Sequence, residues 1–363
     1  DRIMKSETIA PTDFVIPWVD GDDPGWRQAF AAARRAANGC DNGNRSKSGN
    51  ESEGGNGNEN RNASNEDASE IRYRDWRTLR YWFRGVERFA PWVRRIHFIT
   101  WGHLPAWLDT AHPKLHVVNH AEYMPAEYLP TFNSNTIELN IARIEGLAER
   151  FVLFNDDTFL LRDTPPEYFF RRGVPCDMAR LSVVRPSSVG HIVYNDLELI
   201  NAAYRQRDVL RRHPGKWFSP RYGAGNLLKS LTLAPWSFFT GIFDPHMPQP
   251  YLRRSFERAW ERWGPQLDAS CRNTFRSLTD LSHWLVRYDA LCRGEFAPRG
   301  FGDSALMTLG DETIEAISEE IRTRRHRMIC LNDNASIADF EALSRRLAAA
   351  FEAVLPEKSA YER

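Results

Sequence analysis

Four consecutive apolar residues, Phe151-Val152-Leu153-Phe154, run straight into Asn155-Asp156-Asp157. This junction constrains the fold more than any other stretch of the chain. An uninterrupted apolar run of this length suits a strand buried on both faces, as in sheets covered by helices on either side. Its abrupt end in an amide and two acids puts carboxylates at the carboxyl edge of the sheet, where open α/β folds bind their ligands. Asn-Asp-Asp is also good material for a surface turn, but the four hydrophobic residues before it favour the sheet edge. Neighbours on an extended chain point opposite ways. Asp156 and Asp157 are therefore expected to have different tasks, one on a metal and one on a proton or a hydroxyl.

The rest of the first half reads as a scaffold for that strand. Phe14 to Val19 is a first strand, with Pro17 implying an edge or a bulge. It ends in the acidic turn Asp20-Gly21-Asp22-Asp23-Pro24. A helix capped by Asp75 carries Leu79, Trp82, Phe83, Val86 and Phe89 on one face. Strands follow at Arg95–Thr100 and Leu115–Val118, then a helix from Thr136 to Leu147. The order predicts an α/β fold: a Rossmann-like, mainly parallel sheet flanked by helices.

In the second half, apolar stripes mark helices at Leu252–Trp263, Leu278–Leu291 and Ile314–Ile321. A short strand, Met328–Leu331, ends in Asn332-Asp333-Asn334, and a last helix covers Phe340–Val354. A largely helical second half is expected to close over the sheet edge. The expected organisation is one catalytic domain from residues 1–37 and 71–336, with 240–336 as a helical lid and 337–363 as a C-terminal helix. Residues 38–70 form a low-complexity insertion: from Gly39 to Glu70 there is no aromatic and no branched aliphatic side chain. Such a segment buries too little to offset its ordering entropy, and is expected to be flexible and expendable.

Lys+Arg and Asp+Glu both total 48, so the formal charge is zero, and nothing in that balance points to nucleic acid. The 5 cysteines show no CxxC pattern and fit neither a disulfide framework nor a zinc site. A reducing, cytoplasmic setting is expected. No apolar run approaches the roughly 18–20 residues of a membrane span, and no secretory signal is visible; Ala234–Phe243 is the most apolar stretch and is too short.

Polar residues at other element ends are candidates for a site. Trp18-Val19-Asp20-Gly21 closes the first strand, with Gly21 letting backbone approach a ligand. Leu129-Pro130-Thr131-Phe132 leads into Asn133-Ser134-Asn135, and Glu138 lies one turn further. His246 stands between Pro245 and Pro248, which fix its loop. Arg272 and Arg276 offer guanidinium groups for a diphosphate. Taken singly, each has an ordinary structural reading: an acidic turn, a packed histidine, a solvated arginine.

Taken in order, five blocks resemble the Stealth family of sugar-phosphate transferases. That family includes bacterial capsular polysaccharide phosphotransferases and the catalytic subunit of the lysosomal-enzyme GlcNAc-1-phosphotransferase. The blocks are Trp18-Val19-Asp20-Gly21; Leu79-Arg80-Tyr81 through Ala90-Pro91-Trp92-Val93-Arg94; Leu129-Pro130-Thr131-Phe132 through Phe154-Asn155-Asp156-Asp157; His246-Met247-Pro248 with Phe275-Arg276; and Cys330-Leu331-Asn332-Asp333-Asn334. Ile16-Pro17, Thr78 and Trp101 depart from residues common in the family at those places.

The resemblance implies transfer of a sugar 1-phosphate from a nucleotide-diphosphate sugar, such as a UDP-hexose or UDP-N-acetylhexosamine, to a glycan hydroxyl. A phosphodiester forms and a nucleoside monophosphate leaves, in capsular or exopolysaccharide synthesis. It implies Mg²⁺ or Mn²⁺ near Asp156 and Asp333, and Asp157 or His246 as the base. Arg276 would meet the phosphoryl oxygens, while Trp18, Val19, Asp20, Gly21, Asn133, Ser134, Asn135, Glu138 and Asn332 would hold the donor. A place beside a membrane-bound capsule-assembly complex and self-association are compatible with it. The competing readings are a metal-dependent glycosyltransferase releasing nucleoside diphosphate and a non-catalytic nucleotide-sugar-binding protein.

Overall fold

The computed structural model describes residues 10–41, 66–67, 73–333 and 337–363. Its centre is a five-stranded sheet. In chain order the strands are β1 (Thr12–Pro17), β2 (Ile96–Thr100), β3 (Leu115–Asn119), β4 (Arg150–Leu153) and, after β5 (Thr158–Leu160) of a second sheet, β6 (Gln249–Leu252). The spatial order is β3-β2-β1-β4-β6. The first four strands are mutually parallel, and β6 joins β4 antiparallel at the edge. The fold is thus the expected α/β type, with a mainly parallel central sheet.

Alternation along the strands feeds two cores. Phe14, Ile16, Phe98 and Val152 face one, Val15, Ile99, Phe151 and Leu153 the other. The first core is covered by helix α2 (Leu79–Phe89). The second is covered by the short helix α3 (Ser134–Leu139), α5 (Arg253–Cys271) and α6 (His283–Arg293), with α4 (Ser188–Ala203) packed on α6. Helix α1 (Pro24–Asp41) leads out of β1.

A second sheet, β7 (Ser304–Thr308), β8 (Met328–Asn332) and β5 in the order β7-β8-β5, lies beside the first. The chain passes from β4 to β5 through Asn155–Asp157, so the acidic pair is the corner between two sheets. Helix α2 packs on β5: a Cβ on Gly85 would lie 3.0 Å from the Leu160 carbonyl, so glycine allows this close approach without displacing the strand. Helices α7 (Ile314–Thr323) and α8 (Phe340–Val354) complete that side, and Phe351 stacks on Tyr81. Buried Arg84 ties the C-terminal segment down through Glu362 and the Leu355 carbonyl. The second half therefore supplies an edge strand and most of a second sheet as well as helices.

Three local expectations are corrected. Pro17 ends a central strand, neither an edge nor a bulge. Even-numbered β1 residues bond toward β2 (Trp18 N to Ile99 O, 2.9 Å), so Pro17 turns its missing N–H toward β4, which has already left the sheet after Phe154 takes the Val15 carbonyl. Thr78, not Asp75, holds the N-cap position of α2; Asp75 accepts the Arg77 N–H at 2.8 Å. The helix expected over 136–147 is only α3, followed by a 3₁₀ turn at Ile141–Arg143. Most of the expected insertion at 38–70 lies outside the described residues, as does Asn334. Helix α1 runs into its start, and Glu66–Asp67 near its end pair antiparallel with Arg276–Ser277.

Candidate active site

Parallel strands on either side of β1 send their connections to opposite faces, which opens a crevice at the carboxyl ends of β1 and β4. A cleft of about 490 Å³ occupies this place. Its lining comes from well-separated parts of the chain: Trp18 and Val19 after β1, Ser134 and Glu138 on α3, Asp156 and Asp157 after β4, His246, Arg276, and Asn332 and Asp333 at the end of β8. The main-chain bond from Leu331 N to the Asp157 carbonyl, 2.9 Å, sets the end of β8 beside the β4–β5 corner.

Asp157 is the most constrained of these acids. Its carboxylate, the His246 ring and Cys330 Sγ bring ligand-type atoms within 4.8 Å of one another. Asp157 Oδ1 is buried with no hydrogen-bond partner among the described residues. Burial raises the Asp157 pKa, against the His246 charge and a hydrogen bond from Cys330. Burial and the same neighbour push the Cys330 thiol well up, so it serves as a donor to the carboxylate and not as a soft-metal ligand. Asp156 is enclosed by the cleft walls, which, with the charges of Asp157 and Asp75, push it up to about 7. Its carboxyl stays open to solvent in the cleft, so screening tempers the shift.

Arg74 reaches Asp333 at 3.4 Å and lies over the Phe340 ring. Asp75, itself raised by burial, adds another carboxylate. Clustered acids that repel one another, one with an orphaned buried oxygen, fit a hard divalent cation with oxygen ligands.

His246 is held by its backbone. Its φ is +48°, its N–H donates to Asp244 Oδ1 at 2.7 Å, and prolines stand before and after it. Arg276 donates to Ser134 Oγ, and its strand is paired with Glu66–Asp67. Glu138 is pushed up to about 7 by burial, with Arg276 opposing. His283 approaches it at 3.6 Å but is no ion-pair partner: burial, then Arg287, His246 and Arg276, push His283 down to about 3.

Not every candidate reaches the cleft. Asn133 and Asn135 are buried away from it, both donating to Asp280 Oδ2 at 2.8 and 3.0 Å, and Asn133 also caps α3 by accepting from Asn135 N. Asp280 further accepts from Ser277 N and Asn273 Nδ2, so it ties the Ser134 loop to the Arg276 loop. Asp20 orders its own turn, accepting from Asp22 N, while its N–H donates to His103 Nε2. Gly21 is glycine because Tyr73 passes against it: an added Cβ would lie 2.2 Å from the Tyr73 carbonyl.

Sequence reasoning missed Trp26, Tyr73, Arg74, Trp101 and His120, all in the cleft lining, and read Asp75 only as a cap. His120 follows β3 directly and could have been found by the strand-end logic used for Asp156. Burial and the His103 charge push it down to about 4. Trp26, Tyr73 and Phe132 form an aromatic wall with Phe30 and Phe275; Phe132 and Phe275 stand in the family blocks, whereas Trp26, Phe30 and Tyr73 carried no motif in the sequence.

The chain is similar along nearly all its length to enzymes of bacterial polysaccharide synthesis. It is 36% identical to a capsular polysaccharide phosphotransferase, WcwK, of Streptococcus pneumoniae, over 97% of this chain and 98% of the relative. It is 36% identical to an exopolysaccharide phosphotransferase, cps2G, of Lactiplantibacillus plantarum (97% and 96%) and 33% identical to a receptor polysaccharide phosphotransferase, WefC, of Streptococcus oralis (96% and 98%). The models of Stealth protein conserved regions 2 and 4 match residues 72–176 and 319–363. The first of these holds the β4 corner with Asp156 and Asp157, and the second holds Asp333 at the end of β8. With the crevice, the acids and the two conserved regions in agreement, the chain belongs to the Stealth family.

Proposed function

We propose that this protein is a polysaccharide phosphotransferase that moves a hexose 1-phosphate or N-acetylhexosamine 1-phosphate from a nucleotide-diphosphate donor to a glycan hydroxyl. The observation that carries the reading is the convergence of Asp156, Asp157, His246, Arg276 and Asp333 on one cleft at the carboxyl ends of β1 and β4. The names of the relatives support the reaction class and the role in capsular or exopolysaccharide synthesis.

Asp156, Asp157 and Asp333 would hold Mg²⁺ or Mn²⁺, which when bound neutralises charge on the diphosphate. The chain's own groups do the rest. Arg276 sets a guanidinium against the phosphoryl oxygens, steadied by Ser134. His246, rigid in its loop and beside Asp157, takes the acceptor hydroxyl proton on a ring nitrogen. Trp18, whose buried Nε1 has no partner among the described residues, Val19, Ser134, Glu138 and Asn332 line the donor's side. Asn133, Asn135, Asp20 and Gly21 shape the walls from behind.

Phosphoryl transfer rests on positioning and charge more than on covalent help, which suits such a cleft. The test is the fate of phosphorus. Incubation with a panel of nucleotide sugars and a glycan acceptor is expected to release nucleoside monophosphate and leave phosphorus in the product. Nucleoside diphosphate with a phosphorus-free product would make this a glycosyltransferase.

A further inference from the structure

The helix Ala224–Leu233 presents two of its four leucines to the surface. Its one buried residue is Ser230, whose Oγ accepts the Leu181 N–H at 3.1 Å. Leu228 and Leu231, on adjacent turns, are 64% and 56% exposed. Just beyond it Trp236 and Phe238 are 50% and 48% exposed and lie edge to face at 5.8 Å. Val183, 62% exposed, joins them, because residues 182–184 pair with Thr240–Gly241. Leu227 and Leu233 are half-buried, Leu233 against the second core, so Leu228 and Leu231 form a second apolar face that the protein leaves uncovered.

The segment that carries most of this patch is basic. From residue 204 to 238 the only acid is Asp208, against exposed Arg205, Arg207, Arg211, Arg212, Arg221 and Lys229. Arg207 donates to the Pro235 carbonyl and so stands next to Trp236. The zero net charge of the whole chain hides this local excess. Leucines with tryptophan and phenylalanine, in a segment rich in exposed arginines with Arg207 beside Trp236, match the boundary of an anionic bilayer: apolar groups enter the acyl region, and guanidinium groups meet phosphates.

We propose that the surface formed by Leu228, Leu231, Trp236, Phe238 and Val183 docks the protein on an anionic membrane. The attachment proposed is peripheral: apolar side chains enter one leaflet, and no helix among the described residues is long and apolar enough to cross a membrane. Phe238 precedes His246 by eight residues in the sequence. Even a fully extended chain, at about 3.6 Å per residue, keeps the cleft's histidine within about 29 Å of the lipid surface. The inference stands on the patch alone and does not depend on which reaction the cleft performs.

The test is flotation of the full chain with phosphatidylcholine vesicles, with and without about one third phosphatidylglycerol. Wild type is expected to float with the anionic vesicles and to be released at about 0.5 M salt. A Leu231→Glu/Trp236→Glu double variant should lose at least about tenfold in partitioning, with an unchanged melting temperature and unchanged turnover on water-soluble substrates. Failure of wild type to float would overturn the proposal, as would equal flotation of the double variant. Concentration-dependent dimers that the double variant abolishes, without vesicle binding, would reassign the patch to self-association.

Discussion

Asp280→Ala is expected to loosen the cleft without touching it. The carboxylate is fully buried and accepts from Asn133 Nδ2 at 2.8 Å, Asn135 Nδ2 at 3.0 Å, Ser277 N at 3.0 Å and Asn273 Nδ2 at 2.7 Å. Asn273 is half exposed and can turn to water. The other three donors are buried, and each orphan costs about 1–3 kcal/mol. Relief of a buried charge offsets part of that, leaving a net loss of about 3–5 kcal/mol. Against a total on the order of 5–15 kcal/mol the protein survives, with a melting temperature lower by about 4–7 °C. Well below that temperature, kcat should still fall by about tenfold or more, because Asp280 holds Ser134 and Arg276 in register through their neighbours. Asp280→Asn keeps the shape and one acceptor, and should recover part of both losses. Thermal unfolding and steady-state kinetics on the same preparations measure the two effects. A variant with an unchanged melting temperature and unchanged kcat would refute this support role and return Asn133 and Asn135 to ligand binding.

Asp156→Asn and Arg276→Ala should each lower kcat at least about a hundredfold, and chelation with EDTA should abolish turnover; full activity under EDTA removes the cation from the reaction. Glu138 has a folded pKa of about 7 against an ordinary 4.5, so folding takes up a proton between those values. Its contribution to stability is complete below about pH 4.5 and is lost as pH rises to 7, and Glu138→Gln should flatten that part of the stability–pH curve measured by urea unfolding. Replacing residues 43–64 by a short Gly/Ser linker should leave the melting temperature within about 2 °C, since that stretch has no core-forming side chain. Extending the deletion through Glu66–Asp67 should lower turnover, because these residues pair with the Arg276 strand; equal activity of the two deletions would show that the pairing is dispensable.

The central sheet was legible because its signal is local. A strand buried on both faces announces itself by an unbroken apolar run, and Phe151–Phe154 marked β4 for that reason. Of the second sheet only the central strand β8 was legible, as the apolar run Met328–Leu331. β5 follows β4 after a four-residue corner, Phe154–Asp157, and is only Thr158–Leu160, too short for any periodicity. Its partner β8 lies far along the chain and supplies the pairing that makes it a strand. β6, Gln249–Leu252, contains Pro250 and sits on the edge, where a missing donor is tolerated but a pattern is lost. The exposed leucines of Ala224–Leu233 escaped because periodicity reports that a helix has an apolar face and not which medium covers it.

The site was half legible, and the dividing line is physical. Asp156 and Asp157 were found because an acid directly after a buried strand has few places to go except the sheet's edge. Asn133 and Asn135 carried the same signal, polar residues after an apolar stretch, yet they turn inward to Asp280, 147 and 145 residues later. A polar side chain at an element end meets either a ligand or a buried partner, and only the position of that partner decides. Arg74 and Asp75 show the converse: they adjoin a low-complexity stretch and look like surface, but the chain there packs against Gly21 and delivers both to the cleft. The residues that hold the reactive groups in register are thus the least visible in sequence. For this protein the most informative single substitution is accordingly at Asp280, outside the cleft, and not at the acids the strand end reveals.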